Sequence, residues 1–218
     1  MKVGVLALQG AAGAHARALA EIGCETVLVR TAAALDAIDG LVLPGGESTV
    51  QLAMLRRLGM LEALARLHRR GAPVLATCAG LILIARRVTG PEQASLGWLD
   101  VEVERNAYGT QLDSFIGASD DGAHDLVFIR APRIRRAAAG VEVLARHRGE
   151  PVLIRKDNVV AATFHPELGA DRTIHELAFR SSLVAVAARV ELEATAAHGG
   201  RETAHAVRSV HTGLVARL

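Results

Sequence analysis

The sequence predicts an α/β fold of three layers, in which a mixed, mostly parallel central sheet lies between flanking helices. Over residues 1–90, short apolar segments alternate with segments of helical periodicity. The apolar segments contain few polar residues, which is typical of strands in a parallel sheet that is covered on both faces. The alternation of strand and helix along the chain indicates the same architecture.

Strands and helices of this first part are expected in regular succession. The strands are predicted at residues 3–8, 26–29 and 41–43 and from residue 74. The helices are predicted at residues 14–22, 48–58 and 60–70, and from residue 79 to just before Gly90-Pro91. Gly23 follows the first helix, in the position where glycine commonly ends helices.

The chain after Pro91 has a different pattern, with segments of alternating polarity and short connections rich in Gly and Asp. Strands are expected at residues 98–104, 111–116, 126–129, 141–148, 151–155 and 159–164. A last helix is expected to begin near Asp171. Alternating polarity favours antiparallel or mixed pairing, and we expect these strands to extend the same sheet.

The 218 residues are expected to form one domain over residues 1–184, followed by a C-terminal appendage over residues 185–218. The appendage is rich in Ala, Arg, His and Glu, has a weak apolar stripe and is interrupted by Gly199-Gly200. Such a segment buries little apolar surface, so we expect it to be partly disordered or helical.

The composition argues against several classes of function. The net charge is only +2 and the arginines are scattered, which does not indicate nucleic-acid binding. No apolar segment is long enough to cross a bilayer. The two cysteines, Cys24 and Cys78, give no disulfide framework and favour the cytoplasm. No cluster of residues has metal-ligand spacing, so neither a metal nor another cofactor is expected.

Cys78 lies between the apolar segment that begins at Val74 and the helix predicted from residue 79. The small residues around it, in Thr77-Cys78-Ala79-Gly80, indicate a sharp turn that presents the thiol at the start of the helix. The helix dipole and the free backbone N–H groups at that end favour a thiolate and a developing oxyanion. The alternative is a buried structural cysteine, which is common.

His165 is the best candidate for the general base that a thiol nucleophile needs. It follows the strand predicted at residues 159–164, so both His165 and Cys78 lie at the carboxyl ends of strands, where functional groups gather. Glu167 can reach back to the imidazole and fix its tautomer. The sequence therefore predicts a triad of Cys78, His165 and Glu167.

The other histidines are not expected to take part in this chemistry. His15, His68 and His175 lie in helical segments with charged or polar neighbours, and we expect them to be exposed to solvent. The remaining histidines lie in polar stretches or in the appendage.

A glycine-rich element, Pro44-Gly45-Gly46-Glu47-Ser48-Thr49, follows the third predicted strand and opens a helix. Its two glycines allow a peptide N–H to face a bound carbonyl group. Ser48 is placed to cap the helix. The alternative is an ordinary glycine-rich turn, and the pattern of a phosphate-binding loop is absent.

These motifs resemble the triad class of glutamine amidotransferases, and within it the glutaminase subunit of pyridoxal 5′-phosphate synthase. The matching segments occur in the family's order between residue 3 and about residue 183. They are residues 4–10, 43–49, 77–81, 103–106, 111–115, 128–132 and 164–167. The resemblance implies the flavodoxin-like fold of class I glutamine amidotransferases.

The resemblance also implies roles for individual residues. Cys78 would attack the side-chain amide of glutamine, His165 would act as base and then as acid for the departing ammonia, and Glu167 would orient His165. The residues implied to bind glutamine are Gly46, Glu47, Ser48, Arg105, Ile129 and Arg130. The backbone N–H groups of Ala79 and Gly46 would form the oxyanion hole, and Gln9 would lie near the interface with the synthase subunit.

The implied activity is the hydrolysis of L-glutamine to L-glutamate and ammonia through a γ-glutamyl thioester. The ammonia would pass to a synthase subunit that resembles a (β/α)8 barrel, within a large hetero-oligomer, for the synthesis of pyridoxal 5′-phosphate. Water would protonate ammonia, so a sealed transfer explains why two proteins share the task.

Three alternatives stay open at this point. A glutaminase of another pathway, such as histidine biosynthesis, would carry a similar turn and His-Pro-Glu motif, although Arg105-Asn106 and residues 128–132 fit the vitamin B6 branch better. A cysteine peptidase or stress protein of similar topology is the second alternative, and a non-catalytic binding subunit is the third. One position departs from the family, because Ala76 stands where glycine is usual and its methyl group could crowd the turn.

Overall fold

The structure is a computed structural model that describes residues 1–107 and 114–179. Its strands are β1 (Lys2–Leu6), β2 (Glu25–Val29), β3 (Gly40–Leu43), β4 (Val74–Thr77), β5 (Ala85–Thr89), β6 (Leu99–Glu104), β7 (Phe115–Ala118), β8 (Asp125–Phe128), β9 (Arg133–Ala137), β10 (Glu142–His147), β11 (Glu150–Lys156) and β12 (Val159–Ala162). Its helices are α1 (Ala12–Glu21), α2 (Ala32–Asp36), α3 (Ser48–Arg57), α4 (Leu61–Arg69) and α5 (Ala79–Ile84). A 3₁₀ turn covers Pro166–Leu168, and residues 173–179 are helical.

The central sheet has seven strands in the order β10-β11-β12-β4-β3-β1-β2. Strands β2, β1, β3, β4 and β12 pair in parallel, whereas β10, β11 and β12 pair in antiparallel fashion. The carboxyl ends of β3, β4 and β12 therefore meet at one edge, side by side. This arrangement confirms the predicted mixed, mostly parallel sheet.

The sheet is covered on both faces, because β3, β4 and β12 are buried at every position. On one face, Leu43 and Ala76 belong to a core that includes Leu55 of α3 and Leu64 of α4. On the other face, helix α1 packs against β1 and β2, and the ring of Phe179 lies so near Gly40 that a Cβ there would be 3.0 Å from it. The three layers predicted from the sequence are therefore present.

The helix after Cys78 is shorter than predicted, because α5 ends at Ile84 and the chain continues as strand β5. Strand β5 pairs with β6 in parallel, and Arg87 forms an ion pair with Glu102 across the two strands at 3.5 Å. All six residues of α5 are buried, whereas Arg86 and Arg87 are exposed. Long-range pairing with β6 thus overrides the local helical pattern.

The expectation that all later strands extend the central sheet is wrong in part. Only β10, β11 and β12 join it, whereas β5, β6 and β9 form a separate three-stranded sheet and β7 and β8 form a two-stranded one. Strand β6 alternates between buried and half-buried positions, so only one of its faces is packed against the core. Such a strand does not fit the middle of a sheet that is covered on both faces.

Some expectations need further comment. Helix α2 and the arginine-rich strand β9 were not predicted, since both are short and lack a clear apolar period. Of the strand predicted at residues 111–116, residues 111–113 lie outside the described residues, and strand β7 begins at Phe115. The appendage predicted at residues 185–218 also lies outside them.

Candidate active site

A cleft opens at the carboxyl ends of β3, β4 and β12. It contains Cys78 and His165 together with all the residues that the resemblance implies for glutamine binding. These are Gly46, Glu47, Ser48, Arg105, Ile129 and Arg130. In the described parts of the chain, no group of three or more His, Cys, Asp or Glu side chains could hold a metal ion, and no helix has the length and apolar character needed to cross a membrane.

Cys78 occupies a strained turn between β4 and α5. Its φ is +48° and its ψ is −103°, a combination that non-glycine residues rarely adopt. The Cys78 N–H donates a hydrogen bond to the Ala162 carbonyl at 2.9 Å, and Sγ lies 3.9 Å from the carbonyl oxygen of Ile129. A Cβ at Gly80 would overlap the carbonyl oxygen of Leu43, so glycine permits the close approach of α5 to β3. The tight turn and the close packing together hold the thiol at the cleft.

His165 is nearly buried and lies between Glu167 and Cys78. Its Nδ1 is 2.7 Å from Oε1 of Glu167, and Nε2 has no hydrogen-bond partner among the described residues. Burial by itself lowers the pKa of His165, but the side chains of Cys78 and Glu167 stabilise the imidazolium and raise that pKa from 6.5 to about 10. The ring is therefore a proton donor at neutral pH.

Glu167 is buried behind the imidazole, in the 3₁₀ turn. Burial raises the pKa of its carboxyl group, but the hydrogen bond with His165 and the nearby imidazoles of His15 and His165 lower it below the usual value overall. The carboxylate is therefore ionised at neutral pH and holds Nδ1 of His165.

The expectation that His15 and His175 are exposed is wrong, because both are fully buried. His15 follows the buried Ala12 by three residues and precedes the buried Ala18 by three, so it lies on the inward stripe of α1. That spacing was the available signal. His68, in contrast, is half-buried and stacks on Trp98 with ring centroids 4.5 Å apart.

The cleft contains a carboxylate and a guanidinium group that form an ion pair with each other. Oε1 of Glu47 lies 3.0 Å from the guanidinium of Arg105, whose side chain is only 9% exposed. Burial raises the pKa of Glu47, but hydrogen bonds from Thr49 and the charges of Arg105 and Arg130 lower it overall. These two charges match the ammonium and the carboxylate of a free amino acid.

Ser48 does not cap helix α3 as the sequence indicates. Glu47 is the N-cap residue, and its side chain accepts a hydrogen bond from the backbone N–H of Thr49 at 3.4 Å. The hydroxyl of Ser48 donates instead to Oε1 of Gln93 at 2.9 Å. Ser48 therefore has a side-chain partner at the rim of the cleft.

The Gly45–Gly46 strip is held from two sides, by Gln9, which the resemblance implies near the partner interface, and by Thr77, to which sequence reasoning assigned no role. Thr77 Oγ1 accepts a hydrogen bond from the Gly45 N–H at 3.1 Å. Oε1 of Gln9 accepts one from the N–H of Glu47 at 2.7 Å. Gly46 has a φ of +153°, and a Cβ there would overlap the side chain of Gln9, so only glycine fits.

Ala76 and Ala79 lie on the two sides of the turn at Cys78. Ala79 is the first residue of α5, where backbone N–H groups have no partner within the helix. Ala76 is buried in β4 and pairs with Leu43 and Ala161 without a register shift in either strand. The extra methyl group is thus accommodated in a regular strand.

The chemistry of the cleft defines a class of protein. A cysteine in a strand-to-helix turn, with a buried His and Glu behind it, forms covalent acyl intermediates. A cleft that pairs an arginine with a carboxylate offers complementary charges to a small zwitterionic molecule. On a mostly parallel α/β sheet, these features are those of a triad glutamine amidotransferase.

The family model of the SNO glutamine amidotransferases matches residues 5–184, and the chain belongs to this family. The pyridoxal 5′-phosphate synthase subunit PdxT of Thermotoga neapolitana is 47% identical over 180 residues, which are 80% of this chain and 96% of the relative. The subunit PdxT of Solibacter usitatus is 48% identical over 186 residues, which are 81% of this chain and 96% of the relative.

Solved structures give the same result for the fold. A crystal structure of a glutamine amidotransferase is 42% identical, with a TM-score of 0.76, and the match covers 82% of this chain and 97% of the other. PurLQS from Thermotoga maritima shares the fold alone, at 17% identity and a TM-score of 0.55 over 79% of this chain and 90% of the other.

Proposed function

We propose that this chain is the glutaminase subunit of a pyridoxal 5′-phosphate synthase and hydrolyses L-glutamine to L-glutamate and ammonia. The observation that carries the proposal is the position of His165, between Cys78 and Glu167 at a cleft that also holds the Glu47–Arg105 pair. The sequence relatives named as PdxT support the pathway.

In the first half of the reaction, Sγ of Cys78 attacks the side-chain amide carbon of glutamine as a thiolate. The carbonyl oxygen becomes an oxyanion, which accepts hydrogen bonds from the backbone N–H groups of Ala79 and Gly46. The imidazolium of His165 gives its proton to the amide nitrogen, the C–N bond breaks and ammonia leaves. A γ-glutamyl thioester on Cys78 and a neutral imidazole remain.

In the second half, a water molecule attacks the thioester while the neutral imidazole of His165 takes one of its protons. The C–S bond breaks, glutamate leaves as the γ-carboxylate with release of a second proton, and the thiolate–imidazolium pair is restored. Glu167 stays ionised throughout and keeps Nδ1 of His165 in place.

Substrate binding uses the charges of the cleft. The guanidinium of Arg105 pairs with the α-carboxylate of glutamine, and the carboxylate of Glu47 pairs with its ammonium group. The backbone of Ile129, the side chains of Arg130 and Ser48 and the strip at Gly46 complete the pocket. Glutamine therefore separates the Glu47–Arg105 pair when it binds.

The partner in this proposal is a synthase subunit, a (β/α)8 barrel that assembles with the chain into a large hetero-oligomer and receives the ammonia. Gln9 lies near that interface in this proposal. Because its side chain accepts a hydrogen bond from the Glu47 N–H, binding of the partner at Gln9 would change the position of the neighbouring Gly45–Gly46 strip. The proposed location is the cytoplasm, whose reducing conditions suit the two free cysteines.

The test is glutamate release from L-glutamine by the purified chain, with and without the synthase subunit. We expect weak hydrolysis by the chain alone, stronger hydrolysis with the partner, and none after Cys78→Ala in either condition. Equal rates with and without the partner would contradict the coupling. Full activity of the Cys78→Ala variant would remove the proposed mechanism.

A further inference from the structure

A pair of buried histidines lies directly behind the proposed triad. Nδ1 of His15, on α1, is 3.0 Å from Nε2 of His175 in the helical segment at residues 173–179. Nε2 of His15 is 3.1 Å from Oγ1 of Thr77 and 3.3 Å from Oε2 of Glu167. The side chains of His15 and Glu167 are both fully buried, so no solvent shields this contact.

We propose that His15 is a positioning residue for the triad, whose Nε2–H holds the carboxylate of Glu167 and the hydroxyl of Thr77 at the same time. The proposal rests on the proposed function, because it assigns a role within the same reaction. His15 touches neither the cleft nor the reacting atoms, so it acts only through these two neighbours.

The hydrogen-bond pattern selects one tautomer of His15. Oε2 of Glu167 is an ionised acceptor, so the nitrogen that faces it must carry the hydrogen. Nδ1 of His15 is then an acceptor and receives the Nε2–H of His175. The buried atoms of this cluster that have no hydrogen-bond partner among the described residues are Nδ1 of His175 and Oε2 of Glu167, and the latter lies within ion-pair distance of His15 Nε2, at 3.3 Å. The opposite arrangement would let the Thr77 hydroxyl donate to Nε2 of His15, but it would leave the buried Nδ1–H of His175 unpaired and set a lone pair of Nε2 against the ionised carboxylate of Glu167, which costs more.

The burial of the pair suits it to orienting groups and not to relaying protons. His15 faces Glu167, His165 and His175, and His175 also feels Arg172 and Asp171. Burial lowers the pKa of His15 to about 4, although Glu167 opposes this, and burial and His15 lower that of His175 to about 3. The pKa of His165 is about 10, so the proton stays on His165 and both buried histidines remain neutral.

His15 is linked to two parts of the active site. Through Glu167 it is linked to the ring of His165, and through Thr77 it is linked to the N–H of Gly45, the first residue of the Gly45–Gly46 strip. Loss of its Nε2–H frees both neighbours at once. A misplacement of about 1 Å in such a site costs about a hundredfold in rate.

Two amide variants distinguish the roles of the two ring nitrogens of His15. The side-chain nitrogen of His15→Gln can replace Nε2 and face Glu167, whereas that of His15→Asn replaces Nδ1 and faces His175. With the synthase present, we expect His15→Asn to lower kcat about tenfold to a hundredfold and to change KM less than about twofold. We expect His15→Gln to recover most of the loss. The control is His68→Leu, a half-buried histidine stacked on Trp98, which should leave kcat unchanged.

A second readout uses the rate at which iodoacetamide alkylates Cys78, which needs no glutamine. We expect slower alkylation at neutral pH in His15→Asn than in His15→Gln, because the imidazolium beside the sulfur is less well held. Equal kcat values and equal alkylation rates in the two amide variants would overturn the proposal, as would an equal loss in His68→Leu. If the wild-type chain released no glutamate while alkylation of Cys78 was still slower in His15→Asn than in His15→Gln, the proposed function would be refuted and the role of His15 upheld.

Discussion

The backbone of Gly45 lies directly against the imidazole of His165. A Cβ at position 45 would overlap Cε1 of the ring and would lie 2.9 Å from Nδ1. The N–H of Gly45 is held in turn by Thr77, the residue before Cys78. The glycine strip, the base and the nucleophile turn are therefore packed as one unit, and a single methyl group is enough to disturb it.

Gly45→Ala tests this contact. We expect kcat for glutamine hydrolysis to fall at least about tenfold, because the new methyl group displaces His165 from its position between Glu167 and Cys78. The control is Gly13→Ala on α1, where a Cβ approaches only Arg17, at 3.9 Å. A Gly45→Ala variant with the wild-type rate would contradict the packed unit.

The pH dependence of the reaction follows from the raised pKa of His165. Its folded value of about 10 lies above the ordinary 6.5, so the protonated ring stabilises the fold at pH values below 6.5, and this stabilisation is lost as the pH rises through about 10. Since the imidazolium protonates the leaving ammonia, we expect kcat/KM to fall on the same alkaline limb.

Glu167→Gln removes one of the charges that stabilise the imidazolium, so we expect the alkaline limb of kcat/KM to move to lower pH and the rate to fall. Glutaminase rates over a pH series would measure both effects. The control is Glu142→Gln, which removes an exposed carboxylate paired with Arg155 and should leave the limb in place. An unchanged limb in Glu167→Gln would show that the carboxylate does not determine the charge of His165.

Arg105→Gln tests how the cleft recognises an amino acid. We expect KM for glutamine to rise at least about tenfold with a smaller change in kcat, because the variant loses a charge-assisted pair with the α-carboxylate. Steady-state kinetics would separate the two parameters. The control is Arg135→Gln, which removes an ion pair with Glu104 on the three-stranded sheet. A KM that rises equally in both variants would count against the role of Arg105.

Gly80→Ala tests the close approach of α5 to β3. We expect it to lower the free energy of unfolding by about 1–3 kcal/mol, since the added methyl group collides with the carbonyl oxygen of Leu43. Urea denaturation would measure the change. Gly13→Ala is expected to have the opposite sign, a gain of about 0.5–1 kcal/mol, because alanine is the better helix former. Equal stabilities of Gly80→Ala and the wild type would contradict the close approach.

Much of the central sheet could be predicted because its middle strands β3, β4 and β12 are buried at every position and almost entirely apolar. Strands β3 and β4 are each followed within two residues by glycine or other small residues, which also indicated Gly45 and Cys78 as positions at the cleft. Strand β5 could not be predicted in this way. Its partner β6 lies further along the chain, and nothing local indicates the pairing of Ala85 with Leu99.

The candidate site shows the same division. His165 and Glu167 follow a buried strand and are two residues apart, so the sequence alone relates them. The contact between His15 and His175 joins residues 160 positions apart, and the charge state of both depends on burial that only the packed helices create. The polar neighbours of His15 in the sequence indicated that it is exposed, whereas its position on the inward-facing stripe of α1 buries it.

The most direct test of the account is to label the chain with a glutamine analogue that carries an electrophilic diazoketone in place of the side-chain amide, followed by peptide mass spectrometry. We expect a single adduct on Cys78, formed more slowly when L-glutamine is present. Cys24 is the internal control, because burial raises the pKa of its thiol and it does not line the cleft. An adduct on Cys24 alone, or no adduct in a preparation that releases ammonia from glutamine, would contradict the assignment of Cys78 as the nucleophile.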